Sequence, residues 1–306
     1  MSATVVQLES YTGEWWTLHG IGQGDRGVVL NEIEGIIDAP VKTDWTQTAF
    51  RPGSSPGGVR WDARDVRFTV TIAGALQHGK APQDWERLDS QFRQAWSYSE
   101  DSRLWVETPT SRRHLALRPI EAPHTLTARD PRRNHLAQVE MTCRAGVPWW
   151  IEADVIDTWV SQAAGVGSGT VTVSNPTDRP MWLKWVISAP GTWTLPDYSW
   201  FGSPTFSAGD LPADIADRAA TSTARKIVMP TLASGPAVDI DTDPFEEQVV
   251  RAGYPNFWAL MNGLQFLFPV PPWTPQTALP VKVDGPVGST VLVMCERQWT
   301  RAWGMH

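Results

Sequence analysis

The side chains able to do chemistry are few and scattered. The six histidines are His19, His78, His114, His124, His135 and His306, and none stands in an H-x-E or H-E-x-x-H pattern. A zinc site needs close spacing to bring imidazoles or thiolates to one ion, and neither Cys143 nor Cys295 lies within such spacing of a histidine. Both cysteines sit in alternating apolar runs, far apart, which predicts buried free thiols rather than a bridge or a nucleophile. Asp239-Ile240-Asp241-Thr242-Asp243 has the D-x-D spacing of a metal or sugar-nucleotide ligand set, but Pro244 follows at once and the stretch reads as a turn closing a strand. GIGQGDRG (20–27) is rich in glycine but lacks the Lys-Ser/Thr of a phosphate loop and precedes no helix, so it reads as a loop. There is no Gly-x-Ser-x-Gly elbow, and 33 acidic residues supply carboxylate pairs by chance. The sequence therefore predicts no catalytic residue, no cofactor and no metal.

Composition narrows the function classes further. Residues 1–150 carry 17 Lys+Arg against 18 Asp+Glu, and residues 151–306 carry 9 against 15, which sums to the net −7. A main role in holding nucleic acid calls for a basic face and is disfavoured. The local exception is Arg112 and Arg113 with Arg129, Arg132 and Arg133, which reads as a solvated loop or as a charged patch at a protein contact. The N-terminal residues have neither the basic nor the apolar region of a signal peptide. The longest apolar run, around 257–271, is cut by Asn262, Gln265 and Pro269, so no membrane span is predicted. Eighteen Trp with 24 Gly and 25 Pro fit a turn-rich β protein with much of its surface in contacts.

Period-two alternation recurs along the chain, clearest in Val66–Ile72, and marks half-buried strands. One helix interrupts over 81–98: Trp85, Leu88, Phe92 and Trp96 recur at spacings of three and four and put four large groups on one stripe. Arg51–Gly58, with two Pro and three Gly, reads as a loop. The fold class is mainly β: a sandwich with one packed helix over 1–152, a linker over 153–168 ending in small residues, and a second sandwich over 169–306. Within the second, 196–224 is a long irregular loop and 238–303 a series of terminal strands, including the apolar run 256–273.

The order of motifs resembles that of siphophage distal tail proteins, a family of minor tail or baseplate components. The matching features in the second half are the turn Asn175-Pro176-Thr177-Asp178 leading to Pro180, the acidic strand end Val238–Thr242, the aromatic-Pro step Phe266-Leu267-Phe268-Pro269, and a final strand followed by Arg297, Trp299, Arg301 and Trp303. In the first half they are Gly35–Thr43, the loop 51–60 ending Gly57-Gly58-Val59-Arg60, and the strand Val66–Ile72 followed by the helix. The family's usual Gly after the aromatic-Pro step is absent, Val270 standing there instead. Length and Trp content resemble the minor tail proteins of actinobacterial phages in particular.

The resemblance implies a tail-tube-like ring-forming domain followed by a galectin-like domain. It implies a virion protein, made in the host cytoplasm, whose ring, a homo-hexamer, joins tail tube to baseplate or fibre proteins. Its partners would be its own copies, the tail tube protein, the tape measure protein and a downstream baseplate protein, with DNA only in transit. Candidate ring contacts are Arg51, Arg60, Arg129, Arg132 and Arg133. The alternative is a carbohydrate-binding module for host cell-wall glycan, stacking sugars on an outer aromatic loop of Trp193, Tyr198, Trp200 and Phe201.

Overall fold

The period-two runs pair as antiparallel strands. The computed structural model describes residues 4–50, 52–74, 84–126 and 130–305. The chain divides into two units, one running through Glu152 and including Trp299–Met305, the other Ala153–Gln298. Both are mainly β, as the sequence predicts.

The first unit holds β1 (Val5–Glu9), β2 (Trp15–His19), β3 (Val28–Glu34), β4 (Val41–Thr46), β5 (Ser55–Trp61), β6 (Arg64–Ala73), β7 (Ser102–Glu107), β8 (Arg112–Pro119), β9 (His124–Leu126) and β10 (Leu136–Ala145). One layer runs β2-β1-β7-β8 and the other β3-β6-β10, with β10 also pairing β8 and β9. Alternation sends Leu8, Trp16, Leu104 and Leu115 into the core from the first layer and Val66, Phe68, Val139 and Met141 from the second. Helix α1 (Trp85–Gln94) lies against this core. Asp84 caps it by accepting from the Glu86 N–H at 3.3 Å. Its stripe is the predicted one: Trp85, Leu88 and Phe92 are buried, with Trp96 just past its end, and Phe92 meets the Trp16 ring edge-on at 5.5 Å. At ~25 cal/mol per Å² of apolar area, such a stripe contributes several kcal/mol. The helix stops at Gln94, short of the expected 98, because the Ser97 hydroxyl accepts from the N–H groups of Ser99 and Glu100 and offers the backbone a turn instead. The stretch 81–83, expected to open it, lies outside the described residues. A short α2 (Pro131–Asn134) follows, capped by Asp130.

Strand β11 (Trp150–Val160) begins in the first unit and continues in the second, and β12 (Gly165–Asn175) follows. Residues 153–168 are thus strand and turn rather than linker. Their glycines have a packing role: a Cβ built on Gly169 would overlap the Trp159 indole, and one on Gly167 the Ser161 hydroxyl. Glycine here marks close approach of a ring to a strand, a use that composition cannot tell from flexibility.

The second unit adds β13 (Leu183–Ile187), β14 (Thr192–Pro196), helix α3 (Ala213–Ala216), β15 (Lys226–Val228), β16 (Val238–Asp241), β17 (Val249–Arg251), β18 (Thr274–Gly285) and β19 (Thr290–Trp299). A sheet β17-β16-β13-β19-β11 and a sheet β12-β18-β14-β15 supply a core that includes Val171, Trp185, Trp193, Ile240, Val281 and Val293. The run 256–273 is not a strand. Phe257–Met261 form a 3₁₀ turn framed by left-handed Asn256 and Asn262, and Phe266 and Phe268 are buried without joining a sheet. Asparagine tolerates φ > 0 through local side-chain hydrogen bonding, and two such residues six apart end any strand.

Candidate assembly surfaces

Strands β4 and β5 form a two-stranded sheet of their own, pairing Val41 with Trp61, Lys42 with Arg60, and Trp45 with Pro56. The stretch Arg51–Gly58, expected as a loop, therefore enters a strand at Ser55, because the hairpin partner supplies the ladder that its Pro and Gly obscure. No residue of either strand is buried. Val41, Trp45 and Val59 are exposed, and Phe50 at the tip is fully so. Order is imposed at the base. Asp62 accepts from Lys42 Nζ at 2.6 Å and pairs with Arg60 Nε at 3.1 Å, and the Lys42 hydrogen bond above all holds its carboxyl below the usual range. There, too, the Trp61 and Trp149 rings meet edge-on at 5.0 Å.

The predicted arginines separate. Arg51 and Arg129 lie outside the described residues. Arg60 stands on the arm. Arg132, on α2, makes two hydrogen bonds to the Glu86 carboxylate on α1, at 3.1 and 3.2 Å. Arg133 is exposed beside it. Arg113 corrects the reading of a solvated loop or a surface patch: it is fully buried in β8, on the inward face it shares with Leu115 and Leu117.

Sequence reasoning missed what Arg113 does. With Arg64 of β6, it clamps the C-terminal segment in the first unit. Arg113 donates to the Arg301 and Gly304 carbonyls at 3.0 and 3.1 Å, and its guanidinium lies 3.7 Å from the centroid of the Trp299 ring. Arg64 donates to the carbonyls of Pro148, Gly35 and Thr300 at 3.0, 2.9 and 2.5 Å. Burial pulls the Arg64 guanidinium down to about 10, partly offset by Asp38, so it remains a cation at neutral pH. The signal was there in the phase of the alternation: Arg64 is in step with Val66, Phe68 and Val70.

The aromatic loop is also corrected. Trp193 is fully buried in β14, where alternation turns it and Leu195 inward, and its indole donates to the Ser188 carbonyl at 2.8 Å. Tyr198 and Trp200 are half-buried against the core, and of the four Phe201 alone is exposed. The long excursion 196–224 is pinned at its root. Asp197, buried, pairs with Arg225 and accepts from the N–H groups of Leu267 and Phe268 at 3.1 and 3.3 Å. Burial pushes its carboxyl up to about 6 against the pull of Arg225 and those donors. The acid run 239–243 closes its strand by Asx turns: Asp241 accepts from the Asp243 N–H and Asp243 from the Phe245 N–H, and Asp241 pairs with Lys184 at 3.4 Å. Among the described residues no group of His, Cys, Asp and Glu could hold a metal ion, and no helix is long and apolar enough to cross a membrane.

The chain is 30% identical over 340 aligned positions, 99% of both lengths, to the minor tail protein Gp27 of Mycobacterium phage D29. It belongs to this minor tail protein family. The Gp27 of Mycobacterium phage L5 matches to the same extent. No protein-family model matches the sequence. Among solved structures, the Dit protein (gp 19.1) of phage SPP1, described as a paradigm of hub adsorption apparatus in phages infecting Gram-positive bacteria, superposes with a TM-score of 0.58 at 10% identity over 97% of this chain and 99% of that one. A chain of the phage P2 baseplate in its activated conformation gives 0.52 at 9% identity over 96% and 98%. The shared fold is thus that of siphophage distal tail proteins, and the family places the chain in the virion, in the tail.

Proposed function

We propose that the protein is a structural hub of a long non-contractile tail tip. Identical subunits close a ring, a hexamer by family resemblance, that joins the tail tube to baseplate or fibre proteins. Its lumen passes the tape measure protein and then DNA. The β4–β5 arm carries this reading. Apart from Trp61 at its base, half-buried against Trp149, its strand residues are exposed, and its apolar groups Trp45, Phe50 and Val59 stand in solvent. An isolated two-stranded hairpin is marginal in water, so a neighbour's surface is what would give it a fixed place. Head-to-tail donation of an arm from each subunit to the next closes when the rotation allows.

Further support comes from charge and from likeness. The balance of 17 cations against 18 anions over 1–150 suits a lumen through which DNA must slide, since dense phosphate contacts would hold it. The SPP1 protein of the same fold is described as a hub. The protein works by shape and not by catalysis, in keeping with a family of tail proteins. Its partners are its own copies, the tail tube and tape measure proteins, and a downstream baseplate protein. Arg60, Arg132 and Arg133 are rim contacts in this arrangement. The glycan-module alternative draws less support, because Trp193 is in the core.

Native mass measurement and negative-stain microscopy of the purified chain test the reading. Rings are expected for the wild type, and folded monomers when Trp45→Asp and Phe50→Asp are combined. Monomers of the wild type at high concentration, with the tube protein present, refute it.

A further inference from the structure

The second unit carries a groove that the ring reading does not use. Its volume is about 360 Å³, and Ile215, Met261 and Phe266 line its floor. Trp258 and Leu264 stand at its walls, 57% and 46% exposed. The display is built by the backbone. Left-handed Asn256 and Asn262 frame the 3₁₀ turn Phe257–Met261, which turns Phe257 and Met261 inward and leaves Trp258 and Leu260 outside. Clusters of large exposed apolar groups on a soluble protein mark contact sites.

Charge narrows the occupant. Glu246 and Glu247 line the same groove, and among the described residues no ion pair engages either carboxylate. Between 238 and 270 the chain has five acids and one base, Arg251, and that base is spent. It donates to the Pro236 and Ala233 carbonyls at 3.1 and 2.6 Å and lies over the Tyr254 ring. The Gln248 amide is spent too, on the carbonyls of Thr242 and Phe266 and on the Phe266 N–H. What the groove offers is hydrocarbon, an exposed indole and two carboxylates that no ion pair engages among the described residues. A guanidinium or ammonium between Trp258 and these carboxylates gains cation–π and ionic contact together, while its methylene stem covers the apolar floor. A sugar ring would leave that floor of Ile, Met and Phe poorly matched.

We infer that this groove binds an extended basic–apolar segment of another protein, one placing an Arg or Lys beside aliphatic or aromatic residues. The site does not depend on the ring, so it stands or falls separately from it. The test uses the full chain against an array of random dodecapeptides. Retained peptides are expected to be enriched in Arg or Lys next to apolar residues. Trp258→Ala should weaken them at least about tenfold, and the pair Glu246→Lys and Glu247→Lys should shift the retained set towards Asp and Glu. All three positions are exposed, so an unchanged thermal midpoint confirms that the variants fold. No retained peptides, retention without basic enrichment, or retention indifferent to these changes overturns the inference. So does a soluble cell-wall glycan whose binding Trp258→Ala abolishes.

Discussion

The clamp on the C-terminal segment can be tested as a thermodynamic cycle. Trp299 is 1% exposed and Arg113 0%, so each is removed from a closed environment. Trp299→Ala deletes a buried aromatic from the first unit's core, a change that costs about 3–5 kcal/mol. Arg113→Ala leaves the Arg301 and Gly304 carbonyls without the donors they now have at 3.0 and 3.1 Å. Half-buried acceptors left unmet fall towards the low end of the about 1–3 kcal/mol that a buried one costs. The half-buried Glu152 carboxylate also loses its ion-pair partner at 3.6 Å, and together these losses put this variant near about 3 kcal/mol as well. The guanidinium is 3.7 Å from the indole centroid and desolvated, where a cation–π contact is worth about 2 kcal/mol. The double variant should therefore fall short of additivity by about 2 kcal/mol. At about 2–4 °C per kcal/mol for a unit of this size, each single change lowers the midpoint by roughly 10 °C. Near-ultraviolet circular dichroism reads the free energies in urea unfolding and the midpoint in a thermal scan. Arg112→Ala is the control: its side chain is half exposed, and its loss should cost under about 1 kcal/mol. If Arg113→Ala costs no more than Arg112→Ala, or if the coupling is below about 0.5 kcal/mol, the clamp is decorative and the reasoning fails.

Three further expectations follow from named contacts. Asp197 has a folded pKa of about 6 against 3.8 in the reference state, so the fold binds a proton more tightly than the open chain between these values. Its contribution to stability is full below pH 3.8 and is lost as pH rises through 6, about 3 kcal/mol in all, of which about 2 kcal/mol falls between pH 4.5 and 7.5; Asp197→Asn should remove that difference between the stabilities measured in urea at the two pH values. Arg225→Met strands the buried carboxylate and should cost about 3 kcal/mol at pH 7.5 but clearly less at pH 4.5, where Asp197 is neutral. Gly169→Ala drives a methyl into the Trp159 ring and should cost about 1–3 kcal/mol in thermal unfolding, whereas a linker glycine would give almost nothing.

Much of the fold was legible because its carrier is phase. Strand β6 and the α1 stripe sit where alternation and the three-four spacing put them. What misled was residue type read without phase. The glycines of β12 looked like a linker because composition registers flexibility and not the ring that lies against them. Arg113 looked solvated because charge is usually outside, yet its place in the alternation was inward. Trp193 looked like a sugar platform because a loop was read from its neighbours, whereas β14 turns it in. The groove of Trp258 could not be read at all: it depends on two left-handed asparagines whose backbone has no periodic signature.

Tryptophan abundance then has two separate causes. Trp16, Trp150, Trp185, Trp193 and Trp299 are fully buried and fill the two cores. A sandwich needs volume between its layers, and a large rigid group supplies it at low entropic cost. Those residues say nothing about partners. Trp45 and Trp258 are both more than half exposed, and each stands where its own chain leaves a surface uncovered: the arm, exposed beyond its Trp61 base, and the groove with unpaired acids. An exposed indole in a core-poor segment adds apolar area that only association can remove from water. Substituting buried tryptophans should therefore change stability and leave assembly intact in whatever still folds. Substituting Trp45 should weaken ring assembly, and substituting Trp258 peptide binding in the groove, with stability kept in both; a Trp45→Asp chain that melts early yet still forms rings would break that division.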